Sequence, residues 1–148
     1  MRKASRKKGP VVAKKVVYDG ITFSSGLEKY MYKVLKDNNI KAQYESHTFE
    51  LVPSFQFQNK CFEKQSNGLG SFEDRGNKKV LNLKYTPDFI GRNFIIETKG
   101  RANESFPLRW KLFKKWMHDN NDTRTLYKPQ NQDQCNKTVQ LIIENQEG

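Results

Sequence analysis

The chain has 148 residues, the usual size of one domain with a sizeable core. Hydrophobic residues make up 35%, and no apolar run approaches a membrane span, so a helical membrane protein is excluded. The formal net charge of +11 favours a polyanionic partner, and nucleic acid is the commonest one.

Two cysteines, Cys61 and Cys135, stand far apart, and neither belongs to a CxxC pair. With only His47 and His118 besides, the spacings of a zinc site are missing. The charged N-terminus is not followed by an apolar stretch of the kind a signal peptide needs. A soluble, reducing, intracellular setting is the expectation.

Residues 1–15 read as a basic flexible arm. Arg2, Lys3, Arg6, Lys7, Lys8, Lys14 and Lys15 carry the charge, and no acid precedes Asp19. Such a block repels itself and suits contact with phosphates, although a solubilising tail has the same composition. Residues 16–148 read as a single domain with an insertion at about 53–84. Val16 to Phe23 is apolar-rich and broken by the turn signal Asp19-Gly20. A helix follows. Ser24 or Ser25 can cap it, Glu28 sits at capping-box spacing from Ser25, and Leu27, Tyr30, Met31, Val34 and Leu35 form its apolar face. Asn38-Asn39 ends it.

Lys41 to Phe57 is β-prone and interrupted by Pro53. Asn59 to Lys79 is polar and rich in turn signals, and it reads as a loop or an excursion between strands. Val80 to Ile90 and Phe94 to Lys99 read as two strands of a hairpin joined by Gly91-Arg92-Asn93. Pro107 fits the first turn of a second helix with Leu108, Leu112, Phe113 and Trp116 on its apolar face. Thr123 to Tyr127 reads as a strand, and the tail from Thr138 to Glu144 leans to helix. The fold class is α/β: a mixed β-sheet flanked by helices.

The chemistry sits on the hairpin. Alternation puts Glu97 and Lys99 on one face of a strand and Thr98 on the other. If Asp88 comes alongside, two carboxylates and an ammonium meet at one spot. Carboxylates that close repel unless a cation lies between them, and Mg²⁺ prefers hard oxygen ligands. The run Phe94-Ile95-Ile96 is otherwise apolar, so unpaired charges there would be costly to bury. Glu28 projects from the first helix toward the same sheet. A structural ion-pair cluster is the competing account of this set; metal-assisted phosphodiester cleavage is the stronger one.

The spacing Pro87-Asp88 … Glu97-Thr98-Lys99 resembles the PD-(D/E)xK nuclease signature. The order Phe23-Ser24-Ser25-Gly26-Leu27-Glu28, Ile40-Lys41 … Tyr44-Glu45, Tyr85-Thr86-Pro87-Asp88-Phe89 and Glu97-Thr98-Lys99-Gly100 is similar to the phage endonuclease I family of Holliday-junction resolvases within that superfamily. The resemblance spans roughly residues 22–127 and departs from the family between Pro53 and Lys84 and after Tyr127. It implies a restriction-endonuclease-like core. It implies that Glu28, Asp88, Glu97 and Lys99 are catalytic, and that Asp88, Glu97, Glu28 and the backbone carbonyl of Thr98 hold Mg²⁺, with Mn²⁺ as a substitute. It further implies a branched-DNA substrate, 5′-phosphate products, a homodimer that exchanges strands, and the cytoplasm of a phage-infected host as the setting.

Other residues carry less. Glu45 is either an aid to the metal site or an exposed strand acid. Arg101, Arg109, Lys111, Lys114 and Lys115 either hold DNA phosphates or form a solvated helix face. Trp110 and Trp116 fit core packing better than base stacking, and His118 lies near a helix end. Two other functions remain open: a sequence-specific, homing-type endonuclease in which Asn59 to Lys79 reads base edges, and a catalytically silent nucleic-acid-binding protein.

Overall fold

A computed structural model describes residues 14–100 and 105–148. Arg2, Lys3, Arg6, Lys7, Lys8 and Arg101 lie outside the described residues. Among the described residues the architecture is mixed α/β, with small sheets and three helices. The described residues form two compact units, 14–45 with 87–100 and 124–148, and 46–86 with 105–123.

The first unit opens with a hairpin of β1 (Val16–Tyr18) and β2 (Ile21–Phe23). Asp19 and Gly20 make its turn with φ of 55° and 73°, which Asp tolerates and Gly adopts freely. Helix α1 (Gly26–Asp37) is capped by Ser25, whose side chain accepts the Glu28 N–H, and it closes at Asn38 as the sequence predicts. Its buried residues are Glu28, Met31 and Leu35, so an acid lies on the face turned to the core.

The sheet of this unit has four strands in the order β12–β11–β10–β3. Strand β3 (Gln43–Tyr44) pairs antiparallel with β10 (Phe89–Ile90), and β10 pairs antiparallel with β11 (Phe94–Ile96) through the expected turn. Strand β12 (Thr125–Tyr127) runs parallel to β11. Every residue of β11 is buried, as expected of an interior strand covered on both faces. At the hairpin turn a Cβ on Gly91 would stand 2.1 Å from the Phe94 ring, so only glycine lets that ring close over the turn.

The tail is helical, as the sequence leans. Helix α3 begins earlier than Thr138, at Gln132, runs to Glu144, and is capped by the Asn131 side chain. Its buried residues, Cys135, Thr138, Val139 and Ile142, recur at i, i+3, i+4 and i+7. Cys135, Val139 and Ile142 join Phe23, Met31, Leu35, Phe89, Phe94 and Ile96 in one core cluster. Cys61 and Cys135 are both free thiols.

The second unit is built on nested antiparallel pairs: β4 (Phe49–Val52) with β9 (Leu83–Tyr85), β5 (Phe55–Phe57) with β8 (Lys78–Val80), and β6 (Phe62–Glu63) with β7 (Glu73–Asp74). The chain doubles back as one interrupted ribbon, with a break in register between Glu50 and Val52. Helix α2 (Phe106–Asp119) packs beside its base, where Phe49, Tyr85, Trp110, Phe113 and Trp116 form a continuous set of ring contacts. Packing is thus the role of both tryptophans.

Four expectations are corrected. The excursion at 59–79 is not structureless, because β6 and β7 lie in it. Val80 to Ile90 is not one strand: β9 pairs with β4 and β10 with β3 and β11, with Pro87, which has no N–H for a ladder, between them. Lys41 to Phe57 divides into three strands, because Glu45 turns at a φ of 47° and Pro53 breaks the ladder again. The apolar face of α2 is Phe106, Trp110, Phe113 and Met117; Leu108, expected on it, is 63% exposed. Among the described residues, no helix is long and apolar enough to cross a membrane.

Candidate functional site: an acidic cluster at the end of the sheet

The first unit gathers its carboxylates where α1 begins and β10 begins. Glu28 is the third residue of α1. Its N–H donates to Ser25 Oγ at 3.2 Å, while its own Oε2 accepts from the Ser24 N–H at 3.3 Å and from the Tyr44 hydroxyl. The capping-box spacing is therefore used, with the carboxylate reaching one residue further back than Ser25. Tyr44 is fixed in turn by its ring, 4.8 Å from Phe23 and 5.4 Å from Phe89 between centroids. Burial pushes the Glu28 carboxyl above its usual range, the Tyr44 and Ser24 hydrogen bonds oppose this, and the neighbouring Glu45 charge adds to it. Burial and the Glu28 acceptor together raise the Tyr44 phenol.

Asp88 lies just before β10. In the register of the hairpin, Pro87 would face Thr98 and has no N–H to give. The Asp88 side chain takes over there: its Oδ2 accepts the Thr98 N–H at 2.8 Å and the Thr98 hydroxyl at 2.6 Å. The Asp88 carbonyl meanwhile accepts the Glu45 N–H at 2.9 Å, which ties the end of β3 to the start of β10. Asp88 is 7% exposed. Burial first, then the Glu97 charge, then the Glu28 charge push its carboxyl up to about 8, against the two Thr98 hydrogen bonds.

Regular pairing of β11 ends at Ile96, but the extended course continues. The Glu97 N–H donates to the Tyr127 carbonyl and the Lys99 N–H to the Pro129 carbonyl, each at 2.9 Å. Two alternate N–H groups bonded to the same side put the Glu97 and Lys99 side chains on one face, as expected. Glu97 and Thr98 are buried and Lys99 is half-buried.

Carboxylate oxygens of Glu28, Glu45 and Asp88 all lie within 4.8 Å of one another. Neighbouring ligands of a Mg²⁺ ion stand about 3 Å apart and opposite ones about 4 Å, so the triad would have to draw together around the ion. The donors are all hard oxygens, and the repulsion that lifts the Asp88 pKa is relieved by a cation; the residues fit the group the sequence calls for. Two of the three acids, Glu28 and Asp88, are sequence-expected. Glu45, which the sequence leaves between metal aid and exposed acid, is the third. Glu97 acts on the group through its charge on Asp88 rather than as a member of the triad. The Thr98 side chain and N–H, which sequence reasoning does not assign, hold Asp88 in place.

The basic residues are dispersed. Lys14 and Lys15 are exposed before β1. On α2, Lys111, Lys114 and Lys115 are exposed and Arg109 is half-buried. Lys115 pairs with Asp119 at 2.9 Å, and the Lys114 ammonium lies 5.8 Å from the centre of the Trp110 ring. His118 is exposed in the last turn of α2.

No curated protein and no solved structure matches the sequence. A family model described as "Protein of unknown function (DUF1064)" matches residues 8–130, a span that takes in Glu28, Glu45, Asp88, Glu97 and Lys99, and the chain belongs to the DUF1064 family.

Proposed function

We propose that this chain is a divalent-cation-dependent DNA endonuclease with a PD-(D/E)xK-type site, cutting branched DNA such as a four-way junction. The observation that carries the reading is the meeting of Glu28, Glu45 and Asp88 oxygens within 4.8 Å, from three separate elements, with Asp88 also feeling the Glu97 charge. Glu28, Asp88 and Glu97 are buried while Glu45 is exposed, and holding like charges together at a buried site is costly unless a cation offsets it.

In this reading Glu28, Asp88 and Glu45 would hold Mg²⁺ or Mn²⁺, and the resemblance adds Glu97, whose charge reaches Asp88, and the Thr98 carbonyl to the ligand set. A divalent cation held by these residues would supply Lewis acidity, lowering the pKa of a bound water and drawing charge from the phosphate. The protein does the rest. Thr98 fixes the Asp88 carboxylate with two hydrogen bonds, and Tyr44 fixes that of Glu28. The Lys99 ammonium, on the Glu97 face, orients the attacking water and neutralises the pentacovalent phosphate. In-line attack leaves the phosphate on the 5′ end, with no covalent enzyme intermediate.

The second unit supports self-association as a homodimer. Among the described residues its ribbon has no third strand, and it exposes Phe62, Phe72 and Leu81 by 56%, 71% and 74%, apolar surface that a partner copy would cover. The same ribbon gives a second reading, sequence-specific cutting, because two antiparallel strands fit a major groove. Incubation with Mg²⁺ or Mn²⁺ of a four-way junction beside linear duplexes separates these. Symmetric cuts at the junction with linear duplex spared support branch cutting. One reproducible site in linear duplex supports the second reading. Tight salt-sensitive binding with no cleavage of any substrate identifies a silent binder and ends the nuclease reading.

A further inference from the structure

A groove of about 860 Å³ opens in the first unit, away from the acids, between the last turns of α1, the approach to β3 and the β10–β11 turn. Its walls include Lys36, Lys41 and Arg92, and no Asp or Glu side chain. Lys36 is tied to Asp19 outside the groove and lies near the Tyr32 ring. Lys41 and Arg92 are exposed, and neither forms an ion pair with a described residue.

The elements that bear the acids also lead to this groove. Glu28, Tyr32 and Leu35 fall at i, i+4 and i+7 on one face of α1, and Tyr32 and Leu35 form part of the groove wall. Lys36 lies eight residues along the helix from Glu28, about 12 Å. Arg92 stands four residues beyond Asp88 through β10 and its turn, at most about 14 Å.

We propose that this groove is a second nucleic-acid contact, in which Lys41 and Arg92 hold backbone phosphates of the strand that continues from the cleaved bond, with Lys36 and Tyr32 as its wall. The choice of occupant rests on the nuclease reading; the two basic residues Lys41 and Arg92, unpaired among the described residues, beside the apolar floor of Leu35, Ile40, Phe89 and Ile90 do not.

The test uses the full chain with a fluorescent four-way junction in Ca²⁺, following anisotropy across a salt series. The double variant Lys41→Ala/Arg92→Ala is compared with wild type and with Lys137→Ala on the exposed side of α3, after melting curves show equal folding. Loss of two phosphate contacts should lower the slope of log affinity against log salt by about 2, while Lys137→Ala leaves it alone. An unchanged slope and affinity in the double variant overturns the proposal, as does failure of wild type to bind DNA. So does displacement by inorganic phosphate that depends on Lys41 and Arg92 while junction binding does not, which would make the groove a small-anion site. Cleavage in Mg²⁺ is scored separately. Wild type that cuts DNA with an unchanged slope in the double variant removes the groove and keeps the nuclease. A slope lowered as expected in a protein that never cuts keeps the groove and removes the nuclease.

Discussion

A carboxyl group whose pKa is raised to near 8 keeps its proton at neutral pH unless a cation displaces it. Asp88 is such a group: burial and the Glu97 and Glu28 charges raise it from an ordinary 3.8 to about 8. The folded chain therefore binds this proton more tightly than the unfolded chain. Its contribution to stability is whole below about pH 4 and is lost as pH rises through about 8. Metal-free protein in EDTA should melt lower at pH 8.5 than at pH 5.5. Asp88→Asn, whose amide oxygen still accepts from Thr98, should lose less of its melting temperature over that range; parallel curves for the two proteins would contradict the shift. At the same scale, Glu97→Ala or Lys99→Ala should slow cutting by about 100-fold or more and leave junction binding in Ca²⁺ measurable if, as proposed, these groups act on the reacting phosphate. Retained turnover in either variant would mean the site is elsewhere. The approach of Glu28 to Asp88 was legible because the motifs that bear them are local in sequence. Glu45 was half-legible: the sequence places it at a strand end, but its approach to Asp88 depends on a left-handed turn and a backbone bond from its own N–H. The Thr98 hydroxyl was not legible, since strand alternation alone turns that side chain away.

At the scale of elements, the sheet positions the acids and the helices hold the sheet. Ile142 of α3 is fully buried in the same cluster as Met31 and Phe94. Ile142→Ala should cost about 2–5 kcal/mol, read as a lower urea midpoint with an unchanged slope; a loss below 1 kcal/mol would mean α3 is not part of this core. Gly91→Ala would drive a methyl into the Phe94 ring and should cost about 1–3 kcal/mol by the same measurement. Helix α1 was legible from its cap, its apolar spacing and its Asn38 stop. Helix α3 was legible only in its second half, because Val139, Leu141 and Ile143 also fit a strand; reading back to the Asn131 cap and the Cys135/Val139/Ile142 spacing resolves it. The breaks within Lys41 to Phe57 and Val80 to Ile90 were not legible as breaks. Propensity runs through them, and it is pairing with different partners that divides the strands.

For the whole molecule, charge and exposed apolar surface decide what it meets. Deleting residues 1–8 removes Arg2, Lys3, Arg6, Lys7 and Lys8, and should weaken DNA binding and flatten its salt dependence; an unchanged slope would make the arm a bystander. Light scattering after size exclusion should give twice the chain mass, and Phe62→Ser/Phe72→Ser should shift it toward the monomer. The polar composition of 59–79 left the ribbon hidden in sequence, because its short strands are stabilised by pairing across the hairpin rather than by apolar alternation. The central claim, that buried acids hold a cation which cuts DNA, is tested most directly by single-turnover junction cleavage as Mg²⁺ is varied. The account predicts a rate that rises to saturation with Mg²⁺, is abolished by EDTA and collapses in Asp88→Asn. Cleavage that survives EDTA, or that is equal in Asp88→Asn and wild type, would contradict it.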